Sequence, residues 1–387
     1  MCGSKAESVA ALNASATVAD NVSMMSVEGE LARWIGVLWD RQGTDLHLVD
    51  GSAPLIRKGG ELERLPGEPD LAGPQILGFL HALFDSDQRK QFEHHREVDF
   101  ALAWEGKARL RGNAFFQRGE PSLALRIIPE TVPGFDELGL PQSVRNLATL
   151  PQGLVLFTGP TGSGKSTSMA ALIDWINANR ACHILTIEDP IEYVHHHKMA
   201  IVNQREIGAD ASSWDRALRS ALREDPDVIL VGEMRDTDSI AITLTLAETG
   251  HLVFSTLHTN DASQALDRIV DVFPAERQAQ IRMQLAGSLS GVIAQRLVPK
   301  SRGGGLVAAY EVLLATHAVR NLVREGKTRQ IRNVITTSQG DGMMTLEMSL
   351  SRLVASGHVA YDDAVMRAIY PAEVDRPVAP TTKRFGR

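Results

Sequence analysis

Gly159-Pro160-Thr161-Gly162-Ser163-Gly164-Lys165-Ser166 fits the phosphate-binding pattern G-x-x-x-x-G-K-[ST] at every position. Its flanks decide the fold. Before it, Gly153 to Thr158 is a short apolar run, the pattern of a buried strand. After it, Met169, Leu172, Ile173 and Ile176 recur at helical spacing. Strand, glycine loop, helix is the order that lets backbone N–H groups curl around phosphate oxygens, while the helix N-terminus adds the positive end of its dipole. In such a loop Lys165 would reach the β- and γ-phosphates, and the Ser166 hydroxyl would hold Mg²⁺. At ordinary glycine frequency, a chance match in a chain this long is roughly a one-in-fifty event. A plain glycine-rich turn is the alternative, and the flanks make it rarer still.

Working outward, acidic residues stand at the expected strand ends. Cys182 to Ile187 reads as a buried strand that runs into Glu188-Asp189-Pro190-Ile191-Glu192. Carboxylates just past a strand's C-terminal end in an open parallel sheet face the ligand crevice. There they can hold Mg²⁺ through water or orient the attacking water; a solvated acidic loop is the alternative. Val228 to Val231 is a second apolar strand, followed by Gly232 and Glu233. The usual Mg²⁺-holding aspartate is missing at that strand end. Glu233 therefore takes the acidic role, as general base or as a water-mediated Mg²⁺ contact. His251 and His258 bracket a third strand, Leu252 to Leu257. A histidine at the sheet's C-terminal edge can donate to a γ-phosphate and sense hydrolysis.

A helix is expected from Ser213 to Glu224, with Trp214, Ala217, Leu218, Ala221 and Leu222 on its apolar side. Arg219 and Arg223, four residues apart, would share the other face. They are either solvated surface or guanidiniums offered to a γ-phosphate.

At 387 residues the chain exceeds one ordinary domain. Residues 1–27 are rich in Ala, Ser and Val and read as an extension without fixed structure. Residues 28–130 read as a small α+β module with roughly five strands and two or three helices, and no catalytic constellation of its own. Pro129 to Pro141 holds three prolines and two glycines, which marks 131–141 as a linker and hinge. The P-loop core is expected over 142–300, with helices at Ala262 to Phe273 and Ala275 to Leu297. A strand at Leu306 to Leu314 and then a helical bundle fill 301–370. A frayed tail takes 371–387.

The formal net charge of -7 and pI near 6.0 carry no basic signature for nucleic acid. Cys2 and Cys182 are too few for a disulfide framework or a four-cysteine zinc site, so no zinc is expected. His195-His196-His197 are adjacent and cannot all face one point on a helix or strand, so they are not taken as a metal site. The sequence has no apolar run long enough to span a bilayer and begins without a secretory h-region. A cytoplasmic chain without membrane insertion is the expectation.

Four blocks resemble the Walker A, Asp box, Walker B and His box of the secretion ATPases of type II secretion and type IV pilus machines. They run Gly159 to Thr167, Thr186 to His195, Leu222 to Asp236 and Glu248 to Thr259, in that family's order. The resemblance extends from Glu28 to about Pro371. It implies an α/β fold: a RecA-like P-loop NTPase domain, preceded by a small PAS-like α+β domain and followed by a C-terminal helical region. It implies a homo-hexamer with ATP and Mg²⁺ between the N-terminal module of one subunit and the P-loop domain of the next. Gly159, Pro160, Thr161, Gly162, Ser163, Gly164, Lys165, Ser166 and Thr167 would then cradle the nucleotide. Glu192 and Glu233 would act at the water and Mg²⁺, with Ser166, Glu188 and Asp189 as further metal candidates. Arg205, Arg219 and Arg223 are the finger candidates, and His251 and His258 would contact the phosphate side.

Within the family the resemblance is to retraction motors. The chain is short and lacks a tetracysteine loop. Ala318 to Glu325, AVRNLVRE, is similar to their AIRNLIRE motif, and Thr44 to Leu48 is similar to their S-D-L-H-L strand. That implies a motor for pilus retraction and twitching motility, in which hydrolysis rotates the two domains against each other. Its partners would be an inner-membrane pilus platform protein and other pilus ATPases, met at the cytoplasmic face of the membrane. An accessory retraction ATPase, a pilus-assembly or secretion ATPase, a nucleic-acid translocase and a non-hydrolysing scaffold remain the alternatives.

Overall fold

The computed structural model describes residues 29–59, 61–129 and 131–377. The extension expected at 1–27 lies outside the described residues, as do 378–387. The chain divides after Glu130 into two compact units.

In the first unit α1 (Glu30–Asp40) buries Leu31, Trp34, Ile35 and Leu38, the face its spacing predicts. Then come β1 (Asp45–Leu48), β2 (Leu55–Lys58), β3 (Glu61–Arg64), α2 (Gly73–Leu83) and α3 (Ser86–His95). Three longer strands follow: β4 (Glu97–Trp104), β5 (Ala108–Gln117) and β6 (Glu120–Pro129). The six strands form one antiparallel sheet, in the order β3-β2-β1-β6-β5-β4. Two of these elements go beyond the sequence expectation. β3 is exposed along its whole length, so it carries no alternation to read. α3 buries Phe92 alone, and its start is fixed by a reciprocal capping box between Asp85 and Gln88.

The second unit opens with α4 (Gln142–Leu147), β7 (Gly153–Thr158), α5 (Lys165–Asn179), β8 (His183–Glu188) and β9 (Ile201–Glu206). It continues with α6 (Trp214–Ala221), β10 (Val228–Val231), α7 (Thr237–Glu248), β11 (Leu252–Leu257), α8 (Ala262–Asp271) and α9 (Ala275–Ser288). β12 (Leu289–Pro299) and β13 (Leu306–Leu314) form a hairpin, and α10 (His317–Arg324), α11 (Ile331–Thr337), α12 (Leu346–Ala355) and α13 (Tyr361–Arg367) complete it. The sheet order is β13-β12-β7-β11-β10-β8-β9, parallel except for β13. β7, β10 and β11 are buried along their whole length. Alternate residues of β7 feed opposite cores: Leu154 and Leu156 one, Val155 and Phe157 the other. That is the period of two of a strand covered by helices on both faces.

Three expectations are corrected. The helix expected to run from Ala275 to Leu297 stops at Ser288, and Leu289–Pro299 is a strand beside β7. Gly291 allows this: a Cβ there would meet the Leu147 side chain at 2.8 Å and the Leu313 carbonyl at 3.1 Å. The expected helical bundle of 301–370 is instead a layer on the sheet, with Leu346 and Leu350 of α12 packed against Val298 and Ala309. The tail expected from Pro371 is held at its start, where Val374 is buried and Glu373 pairs with Arg332.

Candidate nucleotide site

The loop between β7 and α5 is shaped from beneath. At Gly159, with φ +145°, a Cβ would fall 2.4 Å from the carbonyl oxygen of Gln295. At Gly164, with φ +84°, it would fall 2.8 Å from the Gln295 Nε2. Neither position accepts a side chain, so the backbone lies against β12 and turns into α5 at Lys165. Lys165 Nζ donates to the carbonyls of Gly159 at 2.9 Å and Pro160 at 3.2 Å. Burial lowers its pKa, and the carboxylate of Glu192 acts against that. The Ser163 hydroxyl is buried with no hydrogen-bond partner among the described residues. A buried ammonium bonded to its own loop and an orphaned hydroxyl fit a loop that binds phosphate oxygens.

Because β7, β11, β10 and β8 are parallel, their C-terminal ends bring three acidic or basic positions to this loop. Glu233 follows β10 and His258 follows β11. His258 Nε2 stands 3.3 Å from Glu233 Oε2. Arg235 pairs with Glu233 and, at 3.6 Å, with Asp189 beyond β8. Burial lowers the pKa of His258, and Lys165 and Arg235 lower it further. A carboxylate only accepts, so the ring donates from Nε2 to Glu233. Thr158 and Thr259 tie the loop after β11 to the end of β7, through Thr158 Oγ1 to the Thr259 carbonyl at 2.7 Å and Thr259 N–H to Thr158 Oγ1 at 3.0 Å. Thr167 and Tyr193 hydroxyls meet at 3.0 Å. Lys165, Asp189, Glu192, Glu233 and His258 thus gather around one loop. Arg235 joins them unannounced; its signal was its place two residues after Glu233.

Other candidates stand elsewhere. Glu188 ends β8, but its buried carboxylate accepts from Thr186 at 2.7 Å and Gln204 at 3.2 Å, and burial raises its pKa. Arg205, on β9, pairs with Glu224 at 2.7 Å, and Arg219 with Asp215 at 2.7 Å. Arg223 is exposed in the turn after α6, which ends at Ala221, so the shared helical face expected for Arg219 and Arg223 does not form. The expectation that His251 contacts the phosphate side along with His258 is not met within this chain. His251 precedes β11 and caps the end of α7, its Nδ1 2.9 Å from the Leu246 carbonyl. Six strand residues, about 20 Å at the usual rise, separate it from His258. The adjacent histidines do diverge: His195 is buried near Asp174 with its pKa lowered to about 4 by burial, and His197 Nδ1 accepts from the Val202 N–H.

This geometry has relatives. The family described as type II/IV secretion system protein matches residues 96–304. A Pseudomonas aeruginosa protein described as the type IV pilus retraction ATPase PilT is 48% identical over 86% of this chain and 96% of its own length. A second protein of that organism, the type IV pilus ATPase PilU, is 39% identical over 88% of each chain. The crystal structure of the pilus retraction motor PilT with bound ADP is 44% identical, with a TM-score of 0.83 over 89% of this chain and 99% of that one. A family model that matches more than half of the chain, and relatives at this identity over most of their length, show that the chain belongs to the type II/IV secretion system protein family.

Proposed function

We propose that this chain is an ATP-hydrolysing motor that powers type IV pilus retraction. The observation that carries it is the gathering of Glu233, Arg235 and His258 at the mouth of an intact phosphate loop. The retraction branch is favoured over the PilU-like one by the higher identity to PilT and by AVRNLVRE, which lies on α10 and the residue after it.

The residues divide the work as follows. On nucleotide entry Lys165 Nζ exchanges the carbonyls of Gly159 and Pro160 for phosphate oxygens. Glu233 accepts the proton of the attacking water, with Arg235 and His258 holding its carboxylate in place. Glu192, the acidic neighbour of Lys165, faces the same loop. Mg²⁺, held by Ser166 with Asp189 and Glu233 through water, would supply charge neutralisation at the phosphate oxygens. Arg205, Arg219 and Arg223 serve a neighbouring subunit's nucleotide in a homo-hexamer. The machine is met at the inner face of the cytoplasmic membrane, through a platform protein. Among the described residues no helix is long and apolar enough to cross a membrane.

Steady-state ATP hydrolysis, with oligomer size read alongside, tests this. The wild type should turn over as a hexamer-sized species. Glu233→Gln should bind ATP and lose turnover by about 10²-fold or more. Wild-type protein that binds ATP and never hydrolyses it would end the motor reading. In cells, deletion should leave pili that extend and do not retract; loss of pili would point to assembly instead.

A further inference from the structure

Beneath the phosphate loop three polar side chains are buried in an otherwise apolar core. Gln295 on β12, Ser168 on α5 and Tyr310 on β13 are each 1–2% exposed. Burying an amide, a hydroxyl and a phenol is costly unless each finds a partner. Here they find one another and the chain on either side. The Ser168 hydroxyl donates to Gln295 Oε1 at 2.9 Å. Gln295 and Tyr310 are cross-strand partners in the β12–β13 hairpin. The phenol is pushed up to about 12 by burial, with the neighbouring Ser168 hydroxyl pulling the other way. It donates to the carbonyl of Leu138 at 3.0 Å. Leu138 belongs to the turn at 134–139, which is anchored by buried Phe135 and Leu140.

We propose that Gln295 is a positioning residue for the phosphate loop and that Ser168 and Tyr310 relay the state of that loop to the turn at Leu138, inside the segment 131–141 at the start of the second unit. The relay deepens the nucleotide-motor reading and rests on it.

The input is contact. At Gly159 and Gly164 the loop lies so close to Gln295 that an added Cβ would meet its carbonyl at the first and its amide at the second. Lys165 is bonded to the Gly159 carbonyl and must leave it to reach a phosphate. That exchange frees the peptide lying against Gln295, so the amide resettles with the loop. Ser168 follows because its hydroxyl is bonded to that amide, one turn into the same helix. The output is the hydrogen bond to Leu138. A close-packed core has little room for continuous drift, so a shift at one end is passed along or blocked. A purely structural role for these residues would hold the turn in place and make no difference between the nucleotide-free and nucleotide-bound chain.

Hydrogen–deuterium exchange of the full chain, with and without ADP and Mg²⁺, separates the two. In the wild type, saturating ADP should slow exchange at the phosphate loop and, by about threefold, at 134–141. Tyr310→Phe removes one hydroxyl and keeps the ring. It should bind ADP with affinity within about threefold of wild type and keep the loop's protection, yet lose the response at 134–141. Ser168→Ala breaks the same chain one link earlier and should also lose that response; it decides the matter if Tyr310→Phe does not fold. A response at 134–141 that is the same in wild type and variants overturns the relay. So does a wild type whose loop responds while 134–141 does not. A wild type whose loop ignores ADP removes the nucleotide reading itself, and the relay with it.

Discussion

Glu311 shows how far a single residue can set conditions for the whole chain. It lies on β13 at 3% exposure, and its Oε1 accepts the Ala262 N–H at 2.8 Å, at the start of α8. Burial pushes its pKa up to about 7; Asp261 and Glu347 add to the rise and Arg332 opposes it. The folded chain therefore holds this proton more tightly than the unfolded chain, whose carboxyl titrates near 4.5. Stability must fall as pH rises through the window from about 4.5 to 7, and the full penalty is present above it. At 1.36 kcal/mol per unit the penalty is on the order of 3 kcal/mol. Glu311→Gln keeps the acceptor for Ala262 and removes the charge. Urea midpoints should put the variant above wild type at pH 8, with the gap closing below about pH 4.5. A variant no more stable than wild type at pH 8 would show the burial penalty to be relieved elsewhere. None of this was readable in the chain: Glu311 stands in an ordinary strand, and its partner lies 49 positions away.

At the scale of elements, Glu233, the proposed general base, depends on a helix start. Asp236 caps α7, accepting from Ser239 N–H at 2.8 Å, while the Ser239 side chain answers the Asp236 N–H. Those hydrogen bonds also depress the Asp236 pKa, so its contribution is present above the unfolded value and lost as pH falls through the folded one. Asp236→Ala should cost about 1 kcal/mol, Asp236→Asn much less. Because Glu233 and Arg235 lie directly before the cap, the alanine variant should also lose turnover beyond what its thermal midpoint explains; unchanged kcat would mean that the strand end holds Glu233 without the helix. The strands that carry the site were legible because they are short, apolar and followed by Gly, Asp or His. β9 was not. As an edge strand it buries Val202, leaves Ile201 exposed and runs polar from Asn203 to Glu206, so its periodicity is lost. β12 misled for the opposite reason. Leu289, Val292, Ile293 and Leu297 repeat at helical spacing straight after a true helix, and the sheet on one side and α4 on the other decide for the strand. Gln295 therefore seemed to lie on a helix, although it forms the floor of the phosphate loop.

At the scale of the molecule, the charged groups gathered at the phosphate loop are unbalanced within one chain. Lys165 and Arg235 are the cations, and Arg235 is committed to Glu233 and Asp189. The three arginines read as fingers do not join them: two are in ion pairs on β9 and α6, and Arg223 is exposed in the turn beyond. In the proposed motor a neighbouring copy would supply the guanidinium for the transferring phosphate, as closed rings allow when one face of a subunit meets a different face of the next. Mixing two inactive variants tests that directly. Lys165→Ala destroys the phosphate loop, and Arg223→Ala removes the finger. In a random equal mixture a working site needs an intact Lys165 in one subunit and an intact Arg223 in the next. That combination arises at about one quarter of interfaces, so the mixture should recover up to about a quarter of wild-type turnover. The recovery should require subunits to exchange, and should vanish when each variant is assembled alone. If Arg223 instead serves its own chain, every subunit in the mixture carries one broken half and no activity returns. Repeating the mixture with Arg219→Ala and Arg205→Ala then tells which guanidinium crosses the interface.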